Sequence, residues 1–270
     1  CQLMSKISLG IDFGITNTDL VIGYHDQISY YSSPSKIVSI DNLKKIISQN
    51  NIELDDIETI GVTGGRHYDL PNTLNDIPIT HFNELDAIGR GAQSLKKSDS
   101  EEFLVISAGS GTACVIKKDD QFIHAGGTGL GGGTIRGLCS LLIKENSPEK
   151  INKLSLKGDY KKVDLILKDV VSGPIGNLPG NTSAVNFGDP EIQNSNNADL
   201  AAGVINMVAQ TILKTAATAA IVSGISNILI IGRTSKYELL ALLLKEGFDF
   251  LNLEYEFIEN GEYAICLGAL

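Results

Sequence analysis

Ala125-Gly126-Gly127-Thr128-Gly129-Leu130-Gly131-Gly132-Gly133-Thr134-Ile135-Arg136-Gly137 puts six glycines into the eight positions 126–133, directly ahead of a segment with helical spacing. Without Cβ atoms, several backbone N–H groups can turn toward one point, some of them through φ > 0 conformations that side chains disfavour. Amides that converge at the start of a helix form an anion site, and its usual occupant is a phosphate. A flexible linker would not stand between a strand and a patterned helix. The stretch therefore reads as a phosphate-binding element of a nucleotide or phosphoryl-transfer protein.

Upstream of it, Glu102 to Ser107 reads as an apolar strand ending in Ala108-Gly109-Ser110-Gly111. Thr112 to Lys117 is a second strand, and Asp119-Asp120 turns it into a third, Gln121 to Ala125. The same plan opens the chain. Lys6 to Asp12 ends in Asp12-Phe13-Gly14, Thr18 to Tyr24 follows, and His25-Asp26-Gln27 turns into Ile28 to Ser32. Two β-meanders, each with a glycine turn after its first strand, form an internal repeat. The repeat predicts an α/β protein of two similar lobes, residues 1–98 and 99–270, with two phosphate loops facing each other across a cleft.

The remaining pattern fits that plan. Helices are expected over Ser39 to Gln49, Asn83 to Leu95 with Asn83 as N-cap, Thr134 to Glu145, Tyr160 to Val171, Asn197 to Val222 and Glu238 to Lys245. Further strands are expected at Thr59 to Thr63, Ile79 to Phe82, Asn227 to Ile231 and Glu254 to Ile258, with a closing Ala/Gly-rich helix over Gly261 to Leu270. Between Ser147 and Asp189, beyond the one helix, the polar composition with Pro174 and Pro179 reads as a long ordered loop. Ala201 to Val222 is apolar, but Asn206, Gln210 and Lys214 share one side, so it reads as a buried amphipathic helix and not a membrane span.

The 270 residues are 43% apolar with a net charge of -10, which excludes a globally basic surface for nucleic acid. Cys1, Cys114, Cys139 and Cys266 form no C-x-x-C pair, and four scattered histidines complete no zinc pattern. This composition is expected of a reducing cytoplasm. Cys1 to Met4 read as a remnant or alternative start ahead of the first strand.

Asp12, at a strand end, can hold a hydrated Mg²⁺, with Gly14, Thr16, Asn17 and Thr18 offered to phosphate oxygens. Gly109, Ser110 and Gly111 form the matching second loop. Gly232-Arg233, after a buried strand, suits either an adenosine contact or a plain strand-to-helix turn. Glu84, in the first turn of a helix, suits either a general base or a carboxylate favoured by the helix dipole.

The ordered set resembles type II pantothenate kinases, members of the actin/hexokinase-like ATPases. Its signatures are Gly10-Ile11-Asp12-x-Gly14-x-Thr16, Val62-Thr63-Gly64-Gly65, Glu84-Leu85-Asp86-Ala87, Gly109-Ser110-Gly111 and Gly126-Gly127-x-x-Leu130-Gly131-Gly132-Gly133-Thr134-Ile135. Gly158-Asp159, Leu178-Pro179, Ala184-x-x-Phe187-Gly188, Glu259-Asn260-Gly261 and Leu267-Gly268-Ala269-Leu270 follow, so the likeness runs from Ile7 to Leu270. It implies a duplicated actin-like (ribonuclease H-like) fold, each lobe a mixed sheet flanked by helices. It implies Glu84 as the base that deprotonates the primary hydroxyl of pantothenate, and Asp12 as the Mg²⁺ residue. Ser110 and the segment Gly131, Gly132, Gly133, Thr134, Ile135 and Arg136 become ATP contacts, with His124, Gly126 and Gly127 beside the acceptor. A homodimer is also implied, with the apolar helix Val204 to Val222 as its element.

Three positions depart from the family pattern. Ile15 replaces a glycine and Asp19 a lysine in the first loop, which removes a cation near the phosphates. His124 stands where the family has an arginine for the pantothenate carboxylate, and histidine cannot make that bidentate fork. Either the acceptor binds more weakly or differs, pantetheine being one candidate, or Arg66, Arg90 or Arg136 covers the acid. A non-catalytic ATP-binding protein is the reading that Ile15 and Asp19 motivate. An iron–sulfur activator fits poorly, because Cys114, Cys139 and Cys266 fall inside separate expected elements.

Overall fold

The computed structural model describes residues 6–173 and 176–270; Cys1 to Met4 and Pro174 lie outside them. The chain opens with the meander β1 (Ile7–Phe13), β2 (Asn17–Tyr24) and β3 (Gln27–Pro34). Helix α1 (Ile40–Gln49) follows, started by Ser39, whose hydroxyl accepts from Asn42 N. Then come β4 (Ile57–Gly64), the short β5 (Thr73–Leu74), β6 (Ile77–His81) and α2 (Glu84–Leu95). The second meander is β7 (Phe103–Ala108), β8 (Thr112–Lys118) and β9 (Gln121–Thr128). After it run α3 (Gly132–Ile143), α4 (Pro148–Ser155), β10 (Leu165–Ile166), α5 (Leu167–Val170) and β11 (Ser183–Val185). The long α6 (Asn197–Ser223), β12 (Asn227–Ile231), α7 (Glu238–Phe250), β13 (Glu254–Phe257) and α8 (Ala264–Gly268) complete the fold.

The two large sheets have the orders β3-β2-β1-β4-β6-β5 and β9-β8-β7-β12-β13. In each, the first strand of the meander pairs antiparallel with the second and parallel with the strand that returns after a helix. Apart from the added edge of β5, the sheets match strand for strand, as the sequence repeat predicts. Alternation along β1 sends Leu9, Ile11 and Phe13 into a core with Leu43 and Ile47 of α1, leaving Gly10 and Asp12 on the other face.

That other face is covered by α8, from the far end of the chain. A Cβ on Gly61 would lie 1.7 Å from Ala269 O, and one on Gly10 would lie 2.1 Å from Cys266 O. Conversely α2, from the first half, packs Ile88 and Ala92 against Phe103, Val105 and Val115 of the second sheet. The opposite face of that sheet buries Leu104, Ile106, Cys114 and Ile116 under α3, α6 and α7.

The region 147–189 differs from the expected loop with one helix. Ser147-Pro148 starts α4, with the Ser147 hydroxyl accepting from Lys150 N. Tyr160 to Val171 is not one helix but a 3-10 turn, a strand and a four-residue helix. The reason is Asp164, fully buried, which accepts from Ser183 Oγ, Asn186 Nδ2, Phe187 N and Asn206 Nδ2 at 2.6–2.9 Å. This hub straps the excursion onto α6 and draws Asn206 into the interior. α6 is long and apolar enough to cross a membrane, yet it forms the core of the second half, with Ala201 to Ile205 wholly buried. β9 continues through Gly126 to Thr128, so the first glycines of the rich stretch are strand. The closing segment is a 3-10 turn followed by only the short α8.

Candidate active site

The two glycine turns meet. Thr16 Oγ1 in the first hairpin lies 2.8 Å from Ser110 Oγ in the second. Each turn is braced from behind: Ser35 N donates to Thr16 O at 3.0 Å and Ser35 Oγ to Gly14 O. Gly109 N donates to Gly111 O at 2.9 Å.

The glycine-rich segment is packed onto the second hairpin. Gly132 N donates to Gly109 O at 2.9 Å and Gly133 N to Ser110 O at 3.0 Å. A Cβ on Gly131 would stand 2.6–2.8 Å from the carbonyls of Ser110, Gly109 and Gly111. Two of the expected phosphate-facing amides are thus spent on positioning the loop. Gly131 N is taken as well, by Thr134 Oγ1 at 3.3 Å, and that hydroxyl in turn donates to Gly129 O.

Asp12 sits opposite Asp19 in the β1–β2 register, so both carboxylates share the cleft face. Burial, then the charges of Asp19 and Glu84, push the Asp12 carboxyl up from 3.8 to about 7, against a lowering pull from Arg233. It has no hydrogen bond or ion pair of its own among the described residues. Gly64, at φ +86°, makes room for it, because a Cβ there would fall 2.3 Å from Asp12 Oδ1. Beside it in the parallel register, the buried Thr63 Oγ1 has no partner. Glu84 opens α2 behind the N-cap Asn83, which accepts from Leu85 N at 2.9 Å; the carboxylate is exposed to the cleft and within electrostatic range of Asp12.

The cation missing from position 19 arrives from the other sheet. Arg233 donates to both carboxylate oxygens of Asp19, at 2.6 and 2.7 Å, and to Ser32 Oγ at 3.0 Å. Its guanidinium lies over the Tyr263 ring, 5.4 Å from the centroid, and Tyr263 stacks on Tyr30. The next residue, Thr234, donates to Gly109 O at 2.6 Å. The Gly232-Arg233-Thr234 loop therefore ties the second hairpin to β2. Gly232 itself, at φ +92°, abuts Ala108.

Other expected contacts lie elsewhere. Thr18 is buried and pairs with Phe13, so its side chain points to the α1 face by strand alternation, whereas Asn17 precedes it at the hairpin. Ile135 is wholly buried in the core beneath α3. Arg136 donates to Asn146 O at 3.3 Å, away from the glycine turns. His124 is exposed on β9 opposite Val115, on the side where Phe122 rests against Gly89 of α2. Immediately after it Ala125 is bulged out of register, and Gly126 takes φ +131°. Arg66 is paired with Asp69, and Arg90 lies over the Phe82 ring. Cys114, Cys139 and Cys266 are buried, unpaired and in three separate elements; burial pushes the first two thiols up to about 11.

Two matching sheets whose hairpins meet head to head, with a carboxylate at the end of the first strand, define an actin/hexokinase-like ATPase fold. Solved structures share it. One is (R)-2-hydroxyglutaryl-CoA dehydratase component A from Acidaminococcus fermentans, with a TM-score of 0.66 at 15% identity, covering 98% of this chain and 96% of that one. Another is a ROK family glucokinase from Streptomyces griseus in complex with glucose and AMPPNP, with a TM-score of 0.63 at 14% identity and 97% coverage of both. The Fumble family model matches residues 90–242. A type II pantothenate kinase of Bacillus thuringiensis subsp. konkukian is 30% identical over 97% of this chain and 96% of its own. One from Staphylococcus haemolyticus is 28% identical over 98% and 99%. The chain belongs to the type II pantothenate kinase family.

Proposed function

We propose that the protein transfers the γ-phosphoryl group of ATP to the primary hydroxyl of pantothenate, giving 4′-phosphopantothenate for coenzyme A synthesis. The observation that carries this reading is the Thr16–Ser110 contact, which closes two hairpins around a common point beside Asp12 and Glu84. Asp12, with no hydrogen-bond partner among the described residues and an orphaned Thr63 hydroxyl beside it, fits a water-coordinated Mg²⁺. Bound there, the ion would neutralise phosphate charge. The chain itself supplies the rest. The hairpins hold the phosphates in line, and the Arg233–Asp19 pair fixes the Gly232-Arg233-Thr234 loop against β2 beside them. Glu84 takes the hydroxyl proton as that oxygen bonds to the γ-phosphorus and the bond to the ADP oxygen breaks.

The residues assigned to nucleotide are Asp12, Gly14, Thr16, Asn17, Gly109, Ser110, Gly111 and the Gly131–Gly133 turn, with Glu84, His124, Gly126 and Gly127 beside the acceptor. The lobes are assigned as residues 1–98 and 99–270. A cytoplasmic homodimer is the assembly in keeping with the family and the free thiols. Exposed Ile221 at the end of α6 is apolar surface available to it.

Glu84→Gln tests the reading. It is expected to bind ATP as the parent does while turnover falls by roughly 10²–10⁴-fold. A fully active variant would remove Glu84 from the mechanism. ATP-dependent stabilisation of the parent with no ADP release on pantothenate or pantetheine would favour the non-catalytic alternative.

A further inference from the structure

The Gly64-Gly65 turn that makes room for Asp12 is held by a side chain with no part in the site described above. His67 is 5% exposed, and its Nδ1 lies 2.6 Å from Gly64 O. A carbonyl only accepts, so in the neutral ring Nδ1 carries the proton and Nε2 is bare. That Nε2 is buried with no hydrogen-bond partner among the described residues. A buried polar atom left unpaired costs stability, which an apolar side chain of the same size would avoid. The bond to Gly64 is therefore what the imidazole adds at this position.

The bond reaches the reaction centre through backbone. Gly64 stands at φ +86°, and a Cβ there would fall 2.3 Å from Asp12 Oδ1 and 2.8 Å from Phe13 N and O. Gly65 N donates to Phe13 O at 2.9 Å. A shift of the Gly64 peptide thus changes the room left to the Asp12 carboxylate. The turn that carries His67 is itself anchored. Asp69 N donates to Arg66 O at 2.9 Å, Leu70 N donates to His67 O at 3.1 Å, and Leu70 is buried in the first core. The His67 ring lies against His81, 5.5 Å between centroids, and Tyr68 contacts both rings at 4.0 and 5.3 Å. By strand alternation His81 lies on the α1 side with Ile79, whereas Asp12 and Thr63 face the cleft. His67 therefore acts from behind the sheet.

We propose that His67 is a positioning residue for the Mg²⁺-binding carboxylate: its Nδ1–H fixes the Gly64 peptide, and that peptide fixes Asp12. This rests on the kinase reading above, through the assignment of Mg²⁺ to Asp12. Residues that orient a metal ligand from behind shape metal affinity and turnover without touching the ion or the substrate. The ring contact with His81 and the Nδ1–H bond to Gly64 can be separated by substitution. Phenylalanine keeps a ring and drops the donor. Asparagine drops the ring and offers its Nδ2–H in place of Nδ1–H.

The test compares His67→Phe and His67→Asn with the parent. Titration calorimetry without acceptor gives the affinity for ATP in the presence and absence of Mg²⁺, and a steady-state assay gives kcat and KM for pantothenate. His67→Phe is expected to lose about 10- to 100-fold in kcat and in affinity for ATP with Mg²⁺. Its affinity for metal-free ATP and its KM for pantothenate stay at the parent values, and His67→Asn keeps most of what His67→Phe loses. A folded His67→Phe with parent affinity and kcat overturns the role of His67. So does an equal loss of affinity with and without Mg²⁺, or a loss in His67→Asn as large as in His67→Phe. Should His67→Phe not fold, His67→Asn decides alone: parent affinity with Mg²⁺ supports the role, and a loss of about tenfold or more overturns it. If the parent binds ATP equally with and without Mg²⁺, the positioning role falls. If it binds ATP with Mg²⁺ but phosphorylates no pantothenate, the acceptor reading falls and the calorimetry still decides on His67.

Discussion

Replacing Arg233 by methionine removes the one ion pair, among the described residues, that joins the Gly232-Arg233-Thr234 loop to the first sheet. Asp19 would be left with its side chain 5% exposed and no counter-charge, facing Asp12 across the strand pair. Breaking a buried pair from one side costs about 3–5 kcal/mol. The Arg233 side chain is 34% exposed, so solvent screening reduces that to about 2 kcal/mol. For a chain of this length the loss corresponds to a fall in Tm of about 4–8 °C. Asp19→Asn should lose less, because an amide still accepts from Arg233 while the guanidinium keeps solvent and the Tyr263 ring. The double variant Asp19→Asn/Arg233→Met should recover much of the loss, since no buried charge remains unpaired. Calorimetric unfolding of the four proteins at pH 7.5 gives the coupling directly. Additive losses, or single variants within about 1 °C of the parent, would refute the view that this pair fastens the two halves.

Asp12 has a carboxyl raised from 3.8 to about 7, so its contribution to stability is full below the lower value and is lost as pH rises through the upper one. Asp12→Asn should therefore unfold a few degrees higher than the nucleotide-free parent at pH 8, with the gap closing by pH 4. The same variant should lose Mg²⁺-dependent turnover; a melting temperature lower than the parent's at pH 8 would contradict the electrostatic account. Gly131→Ala places a methyl group 2.6–2.8 Å from three backbone carbonyls of the second hairpin. The hairpin must move at a cost of about 1–3 kcal/mol, and ATP affinity by titration calorimetry should fall about tenfold or more while the far-UV spectrum is retained. Unchanged affinity would detach the glycine turn from the nucleotide site.

The duplicated meander is legible in the sequence because local chemistry fixes it: each first strand runs into a glycine turn, and each second strand ends in a polar turn before glutamine. Asn83 ahead of Glu84 likewise marks the start of α2. The strand period also carries information about Asp19. Residues facing Asp12 across a hairpin share its side, so Asp19 and not Thr18 belongs to the cleft. Ser147-Pro148-Glu149 is a readable helix start inside a segment whose overall composition reads as loop. The Asp164 hub and the Arg233–Asp19 pair carry no such local signal. They join residues 42 and 214 positions apart, and only the packed sheets and α6 bring them together.

The exchange of helices explains why chemistry concentrates at one point. α2 begins beside the first sheet, where its N-terminus presents Glu84 near Asp12, and its body lies on the second sheet. α8 does the reverse, lying on the first sheet after the last strand of the second. The two helices cross at glycines: a Cβ on Gly91 would stand 1.7 Å from Ala264 O, and one on Gly268 would stand 1.9 Å from Ala87 O. Contact this close leaves little freedom for one sheet to slide on the other, because backbone cannot yield as a side chain end can. The angle of this crossing sets the spacing of the hairpins, which Thr16–Ser110 and Asp19–Arg233 both span. Gly91→Ala, whose added Cβ abuts Ala264 and not the hairpins, should therefore lower turnover in a steady-state assay by tilting Glu84 relative to the second hairpin; a folded variant with parent turnover would refute this coupling.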